Sequence, residues 1–292
     1  MKTQTALILA ACLALPGLAR AAEPGLPPLT ATPTNQHTPG RFVWGDLFST
    51  DPDASARFYS SVFGWVPRTI GTDAKSYTIL YAGADPIAGI ARGPANPRKA
   101  DAARWIGYIS VPDVDQAAAA IAARGGRIVG GPRDVPDRGI HAIAVDPAGG
   151  AFGLLRSSSG DPEDYFPETG SWAWIGLFSR DTKASAEFYR DALGYTVVED
   201  TRTAQADDYI LATNDTARGG INHLPEGSQY QALWVAFVRV ADIATPLAAV
   251  RANGGRVLIE PKVTSNDLAI AVAEDPFGAV FGLVTLNTTL AE

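Results

Sequence analysis

The chain has 292 residues and a mass of 30.7 kDa, of which 46% are hydrophobic and 19% charged. That is apolar matter for one large or two medium globular domains, and it excludes general disorder. The formal net charge of −7 argues against nucleic acid as a partner, and no stretch approaches the ~18 apolar residues of a spanning helix.

Taken from the start, Lys2 precedes an apolar run over residues 6–18, and Ala19-Arg20-Ala21 follows it. The order is that of a signal peptide over residues 1–21, cleaved before Ala22, and the expected location is periplasmic or secreted. A second reading competes, because Leu9-Ala10-Ala11-Cys12 also forms a lipobox, through which Cys12 would anchor the product as a lipoprotein. Cys12 is the only cysteine, so cleavage after Ala21 leaves no disulfide and no thiol. Removing Lys2 and Arg20 from the 24 basic residues leaves 22 against 31 acidic ones, a net charge of −9.

Residues 22–40, rich in Pro, Thr and Gly, read as a flexible tether. After it the sequence repeats. Trp44, Leu47, Phe48, Asp51, Ser55, Phe58, Tyr59 and Gly64 recur 130 residues later as Trp174, Leu177, Phe178, Asp181, Ser185, Phe188, Tyr189 and Gly194. Trp105, Asp113, Gly125, Gly126, Asp146, Pro147, Gly149 and Gly153 recur 129 residues later as Trp234, Asp242, Gly254, Gly255, Asp275, Pro276, Gly278 and Gly282. Two copies of one domain follow, over residues 41–156 and 171–287, joined by a polar linker at 157–170.

Each copy divides again. Residues 42–49 read as a strand, and Asp51-Pro52 places an N-cap and a first-turn proline before a helix ending at Gly64. Short strands follow around 77–81 and 87–92. The pattern restarts with a strand at 105–111, an N-cap at Asp113 and a helix stopped by Gly125-Gly126. Strands at 127–129, 140–145 and 151–155 close it, the last two joined by the turn Asp146-Pro147-Ala148-Gly149. The unit is βαβββ, four times over, in an α+β chain.

The Asp-capped helix carrying Phe58-Tyr59 and Phe63-Gly64-Trp65, and Asp-Pro-x-Gly before a final strand, resemble the vicinal-oxygen-chelate superfamily of glyoxalase I, the bleomycin-resistance proteins and the extradiol dioxygenases. The endings 146–154 and 275–283 most resemble its tandem glyoxalase-like branch. The resemblance implies four modules forming two cups of curved mixed sheet. It also implies a divalent metal in each cup, held by His, Gln or Glu on the first strand, His on the strand opening the second module, and Glu on the last, where it polarises vicinal oxygens. Counting from the capping Asp puts Trp44 and Trp174 at the first ligand position, and Trp105 and Trp234 at the second. Counting from Asp-Pro puts Gly153 and Gly282 at the third. None of these can ligate a cation, so no metal and no other cofactor is expected.

The histidines are the substitute donors to weigh. His37 lies in the tether, His141 on a strand where the other repeat has Ile270, and His223 near a strand end whose counterpart is Arg92. Each of the last two is either structural or part of a site. Period-2 alternation puts Asp46 on the face of Trp44, with Gly176 as its counterpart. Asp46 is therefore the candidate catalytic base, or an acceptor for an indole N–H. Trp44, Trp105, Gly153, His141, Trp174, Trp234 and His223 are the candidate ligand-binding residues. The indoles either fill the cups or line pockets for a flat apolar ligand. The first repeat, with Asp46, is expected to hold the open pocket, and the second to be more filled.

Three functions stay in play: binding of an aromatic or hydrophobic small molecule in a metal-free cup; a lyase, isomerase or oxygenase using a relocated metal or Asp46 as base; and a structural protein with filled cups. P-loop, dinucleotide-binding, nucleophile-elbow and His-Glu-x-x-His motifs are absent from the sequence. Substrate and oligomeric state are left open.

Overall fold

The computed structural model describes residues 26–30, 32–72, 76–93, 103–164, 166–203, 205–263 and 268–285. The expected signal peptide and the Cys12 lipobox lie outside them.

The first module runs β1 (Phe42–Ser49), α1 (Pro52–Phe63), β2 (Val66–Ile70), β3 (Tyr77–Ala82) and β4 (Asp85–Arg92). Asp51 caps α1 by accepting from Ala54 N at 3.0 Å, and Gly64, with φ of 72°, supplies the left-handed residue that ends it. The second module runs β5 (Arg104–Ser110), α2 (Val114–Ala123), β6 (Arg127–Val135), β7 (Gly139–Val145) and β8 (Ala151–Ser157). The second domain repeats the order with β9 (Trp172–Ser179), α3 (Thr182–Leu193), β10 (Thr196–Glu199), β11 (Tyr209–Thr213), β12 (Thr216–His223), β13 (Ala232–Arg239), α4 (Ala244–Ala252), β14 (Arg256–Val263), β15 (Ala269–Glu274) and β16 (Val280–Val284).

Each domain is one mixed sheet of eight strands, in the orders β2-β3-β4-β1-β5-β8-β7-β6 and β10-β11-β12-β9-β13-β16-β15-β14. The modules meet where their first strands pair antiparallel, β1 with β5 and β9 with β13. The last strand of each module runs parallel to its first, as β4 beside β1 and β8 beside β5.

The helices and one face of each sheet are buried between the domains. Leu47, Phe58, Tyr59 and Trp65 of module one, with Trp105 from the strand that opens module two, share a core with Val238, Leu247, Val250, Phe281 and Leu283 of module four. Ile109, Ile121, Phe152 and Leu154 of module two pack in the same way with Leu177, Phe188 and Tyr189 of module three and with Trp234 from the strand that opens module four. Burying side chains of this size, at roughly 1.5–3 kcal/mol each, makes this shared layer the main cohesive term. The opposite faces of the sheets form the cups, each with a smaller cluster of its own.

The tether departs from its expected freedom. Leu29 is 3% exposed and belongs to the first cup's cluster, with Leu26 packed against it. Further on, Asn35 N donates to Ser159 O at 3.1 Å, Asp161 N to Gln36 O at 2.7 Å, and Thr38 N to Asp161 Oδ2 at 2.6 Å. Two leucines among the prolines cover apolar surface that water would otherwise wet, and the backbone bonds to the linker hold them there.

Candidate functional site

The register of the central strand pair decides what each cup contains. On β1 and β5, Trp44 stands opposite Tyr108, Asp46 opposite Ile106, and Leu47 opposite Trp105. Alternation then places Trp44, Asp46, Ile106 and Tyr108 on the cup face, with Leu47 and Trp105 on the helix face. The expected cup position of Trp105 is thereby corrected, and with it that of Trp234, which pairs with Leu177. Trp105 Nε1 donates to Tyr59 OH, and Trp234 Nε1 to Tyr189 OH, each at 2.8 Å in the shared core. The count from the helix cap ends one residue away from the inward-facing Ile106, and in a strand one residue is a change of face.

In the first cup, Trp44 Nε1 donates to Asp46 Oδ1 at 2.8 Å, and Tyr77 OH donates to the same oxygen at 2.6 Å. Gly89 makes this possible, since a Cβ there would run into the Tyr77 hydroxyl and Asp46. Asp46 is 7% exposed, and with Oδ1 taken by two donors its geometry is that of an acceptor for the indole. Burial, followed by the Asp46 charge, pushes the Tyr77 and Tyr108 phenols well above their ordinary range. Gly153 does face the cup, where the Tyr108 ring lies across it and leaves no room for a side chain.

His141 stacks parallel to Tyr108 with centroids 6.0 Å apart, and its Nε2 accepts from Arg133 Nε at 3.0 Å. Burial, then the Arg133 charge, lowers its pKa. Arg138, in the turn from β6 to β7, lays its guanidinium over the Trp44 ring at 4.3 Å. The first cup thus gathers Trp44, Asp46, Tyr77, Tyr108, Arg138 and His141 beneath Leu29. Tyr77, Tyr108 and Arg138 escaped the sequence reading. The two tyrosines were accessible to it through strand parity, whereas nothing in the sequence marks a turn arginine as inward.

The second cup keeps the frame and loses the polar centre. Trp174 stands opposite Phe237, which lies across Gly282 as Tyr108 lies across Gly153. Gly176 holds the place of Asp46, and the register of β11 on β12 puts Asp208 where the first domain has Tyr77. Trp174 is half-buried, in contrast to the buried Trp44. A cavity of about 300 Å³ opens in this cup, its lining including Phe178, Tyr230, Leu233, Val235, Ile259 and Val272. The paired side chains Arg256 and Glu274, 2.5 Å apart, also line it. The expected contrast between the cups is therefore reversed: the first is filled by aromatic rings and the tether, and the second is open. His223 does not enter this cavity's lining; its ring Nδ1 lies 3.1 Å from Asp208 Oδ1. In the tether, His37 Nδ1 lies 3.7 Å from Asp161 Oδ1.

A metal does not fit the inward positions of either cup. Trp44, Ile106 and Gly153 in the first, and Trp174, Val235 and Gly282 in the second, offer no donor side chain. His141, His223 and Asp46 are engaged with different partners, and among the described residues no group of three or more His, Cys, Asp or Glu could hold an ion.

This duplicated βαβββ architecture, with its cups facing away from a shared core, is that of a tandem two-domain protein. The sequence profile of the Glyoxalase/Bleomycin resistance protein/Dioxygenase superfamily matches residues 39–154 and 171–283, and the chain belongs to that superfamily. It is 29% identical over 261 residues to an anthracycline biosynthesis protein of Streptomyces peucetius, covering 85% of this chain and 94% of that one. It is also 29% identical over 256 residues to CFP32, a candidate glyoxylase of Mycobacterium tuberculosis, covering 86% and 96%. Among solved structures, the Mn(II)-bound glyoxalase of Novosphingobium aromaticivorans aligns with a TM-score of 0.54 at 19% identity over 86% of this chain and 82% of that one. An extradiol ring-cleaving dioxygenase of B. fuscum aligns with a TM-score of 0.61 at 16% identity, over 90% and 75%. At such identities these structures speak for the fold alone.

Proposed function

We propose that this protein is an exported small-molecule binder that takes an aromatic or hydrophobic ligand into the cup of its second domain without the superfamily's metal. The observation that carries this reading is the cavity of about 300 Å³ in that cup, walled by Phe178, Leu233, Val235, Ile259 and Val272. It lies at the small end of the usual ligand-site range, where apolar walls supply affinity and a few polar groups supply orientation. The polar side chains of its lining include Glu226, Ser228, Gln229, Tyr230 and the Arg256–Glu274 pair. The relative named for anthracycline biosynthesis, a chemistry of fused aromatic rings, supports the same class of ligand. Export rests on Lys2, the apolar run at 6–18 and Ala19-Arg20-Ala21.

The test is titration with 2-naphthol, a neutral flat aromatic, followed by intrinsic tryptophan fluorescence and by calorimetry. Saturable binding is expected, weakened at least tenfold by Val235→Phe, which fills the cavity without adding a polar group. Binding that Val235→Phe leaves unchanged, or no saturable binding at all, overturns the assignment to the second cup.

A further inference from the structure

Arg138 is 3% exposed, yet neither its Nε nor its Nη2 meets a hydrogen-bond partner among the described residues. A guanidinium stripped of water with two donors unused is costly, and such groups are ordinarily paired. The side chain is nevertheless held in place. Its backbone N donates to Val135 O at 3.0 Å and its O accepts from Ser158 N at 3.1 Å, while its charged plane stacks on Trp44. Asp46, the carboxylate of this cup, does not neutralise those two nitrogens; its Oδ1 is occupied by Trp44 Nε1 and Tyr77 OH instead.

The unused pair is the Nε–Nη2 edge, the edge of an arginine that meets both oxygens of a carboxylate side by side. The same cup holds the Trp44 ring, which the guanidinium covers, and the Tyr108 ring stacked with His141, so that an aromatic body reaching this edge would pack against ring edges in apolar surroundings. The space over these rings is taken by the chain itself. Leu29 lies in the cluster with Trp44, Tyr77 and Tyr108, and the neighbouring Thr30 Oγ1 is buried without a partner of its own. Leu29 supplies apolar cover and brings no acceptor to Arg138.

We propose that the first cup is a second ligand site, specific for a planar aromatic carboxylate that pairs with the Nε–Nη2 edge of Arg138, and that the segment carrying Leu26 and Leu29 is a displaceable plug over it. A ligand entering this cup must expel the plug, so its apparent affinity is reduced by the fraction of molecules in which the plug is out. Weakening the plug raises the affinity without touching the ligand's own contacts. The site is distinct from the second-domain cavity, so either proposal can fail without the other.

The experiment compares 2-naphthoate with its neutral counterpart 2-naphthamide, by calorimetry on the full-length chain in a Val235→Phe background that fills the second cup. Leu29→Ala is expected to tighten 2-naphthoate at least tenfold over the same background with Leu29 intact, and 2-naphthoate to exceed 2-naphthamide at least tenfold in the Leu29→Ala protein. Adding Arg138→Met is expected to abolish that preference while 2-naphthamide binds as before; Arg138→Lys, which keeps the charge and loses the fork, is expected to fall between. Should Arg138→Met fail to fold, the acid-to-amide ratio with Arg138 intact decides the matter alone. Equal affinity for acid and amide overturns the carboxylate site, and an affinity indifferent to Leu29→Ala overturns the plug.

Discussion

The Tyr59 hydroxyl, on the first helix of one domain, lies 3.2 Å from Asp275 Oδ2 in the closing turn of the other. The second domain reciprocates, with Tyr189 OH donating to Asp146 Oδ2 at 2.8 Å. Each tyrosine also accepts the indole N–H of its own domain's Trp105 or Trp234. The repeated Phe-Tyr and Asp-Pro motifs are thus two halves of one contact, made twice across the domain boundary.

Burial pushes Asp275 up to about 6 from an ordinary 3.8, although the backbone N–H groups of Ala279 and Phe277 and the Tyr59 hydroxyl pull the other way. A carboxyl with a raised folded-state pKa stabilises the fold fully below its unfolded value and loses that contribution as pH rises through the folded one. The chain should therefore lose stability between about pH 4 and 6, with the raised Asp146 contributing in the same sense. Asp275→Asn should remove the Asp275 share and raise stability at pH 7 by up to about 3 kcal/mol, read from urea unfolding across that pH range. Unchanged pH dependence in the variant would count against a buried, protonatable Asp275.

Trp105→Ala and Trp234→Ala should each destabilise by about 3–5 kcal/mol, through lost burial and a residual cavity. Both indoles sit in the shared core, 5% exposed. Binding of 2-naphthol by whatever remains folded should be unchanged. A selective loss of binding would place these indoles in a site after all.

Gly153→Ala should destabilise by more than the about 1 kcal/mol typical of point substitutions, because the new methyl occupies the path of the Tyr108 ring. Tyr108→Ala in the same molecule should recover part of that loss. A thermodynamic cycle over the two positions should therefore give a clear coupling energy, and additive effects would contradict the crossing of Gly153 by Tyr108.

Tyr77→Phe and Asp46→Asn should each cost about 1–3 kcal/mol, since each leaves a buried polar group in the Trp44–Asp46–Tyr77 cluster poorly matched. If an activity is found, Asp46→Asn should leave it in place. Lost turnover with unaltered stability would make Asp46 a base.

Manganese or zinc at tenfold excess should not raise the melting temperature, since only an ion bound tightly by the folded state does so. A rise of several degrees would show a donor set other than the inward residues Trp44, Ile106 and Gly153.

The features legible from the amino-acid order are those set by near neighbours or by repetition. Asp51 and Gly64 bracket α1 because a cap and a left-handed stop act within one turn of the chain. The duplication is plain because both copies keep the same Phe-Tyr and Asp-Pro punctuation. That Trp44 and Gly153 carry no metal-donor side chain was legible too. The face taken by Trp105 was not, because it depends on the pairing of Leu47 with Trp105 across two strands, and a count from the helix cap that errs by one residue turns the side chain over. The tertiary structure alone decided which cup is open. Leu29 covers the first by contacts with residues far along the chain, and Arg138 reaches Trp44 from a turn 94 positions away. Burial of that kind has no local signature, because it is a property of surfaces that meet only after folding.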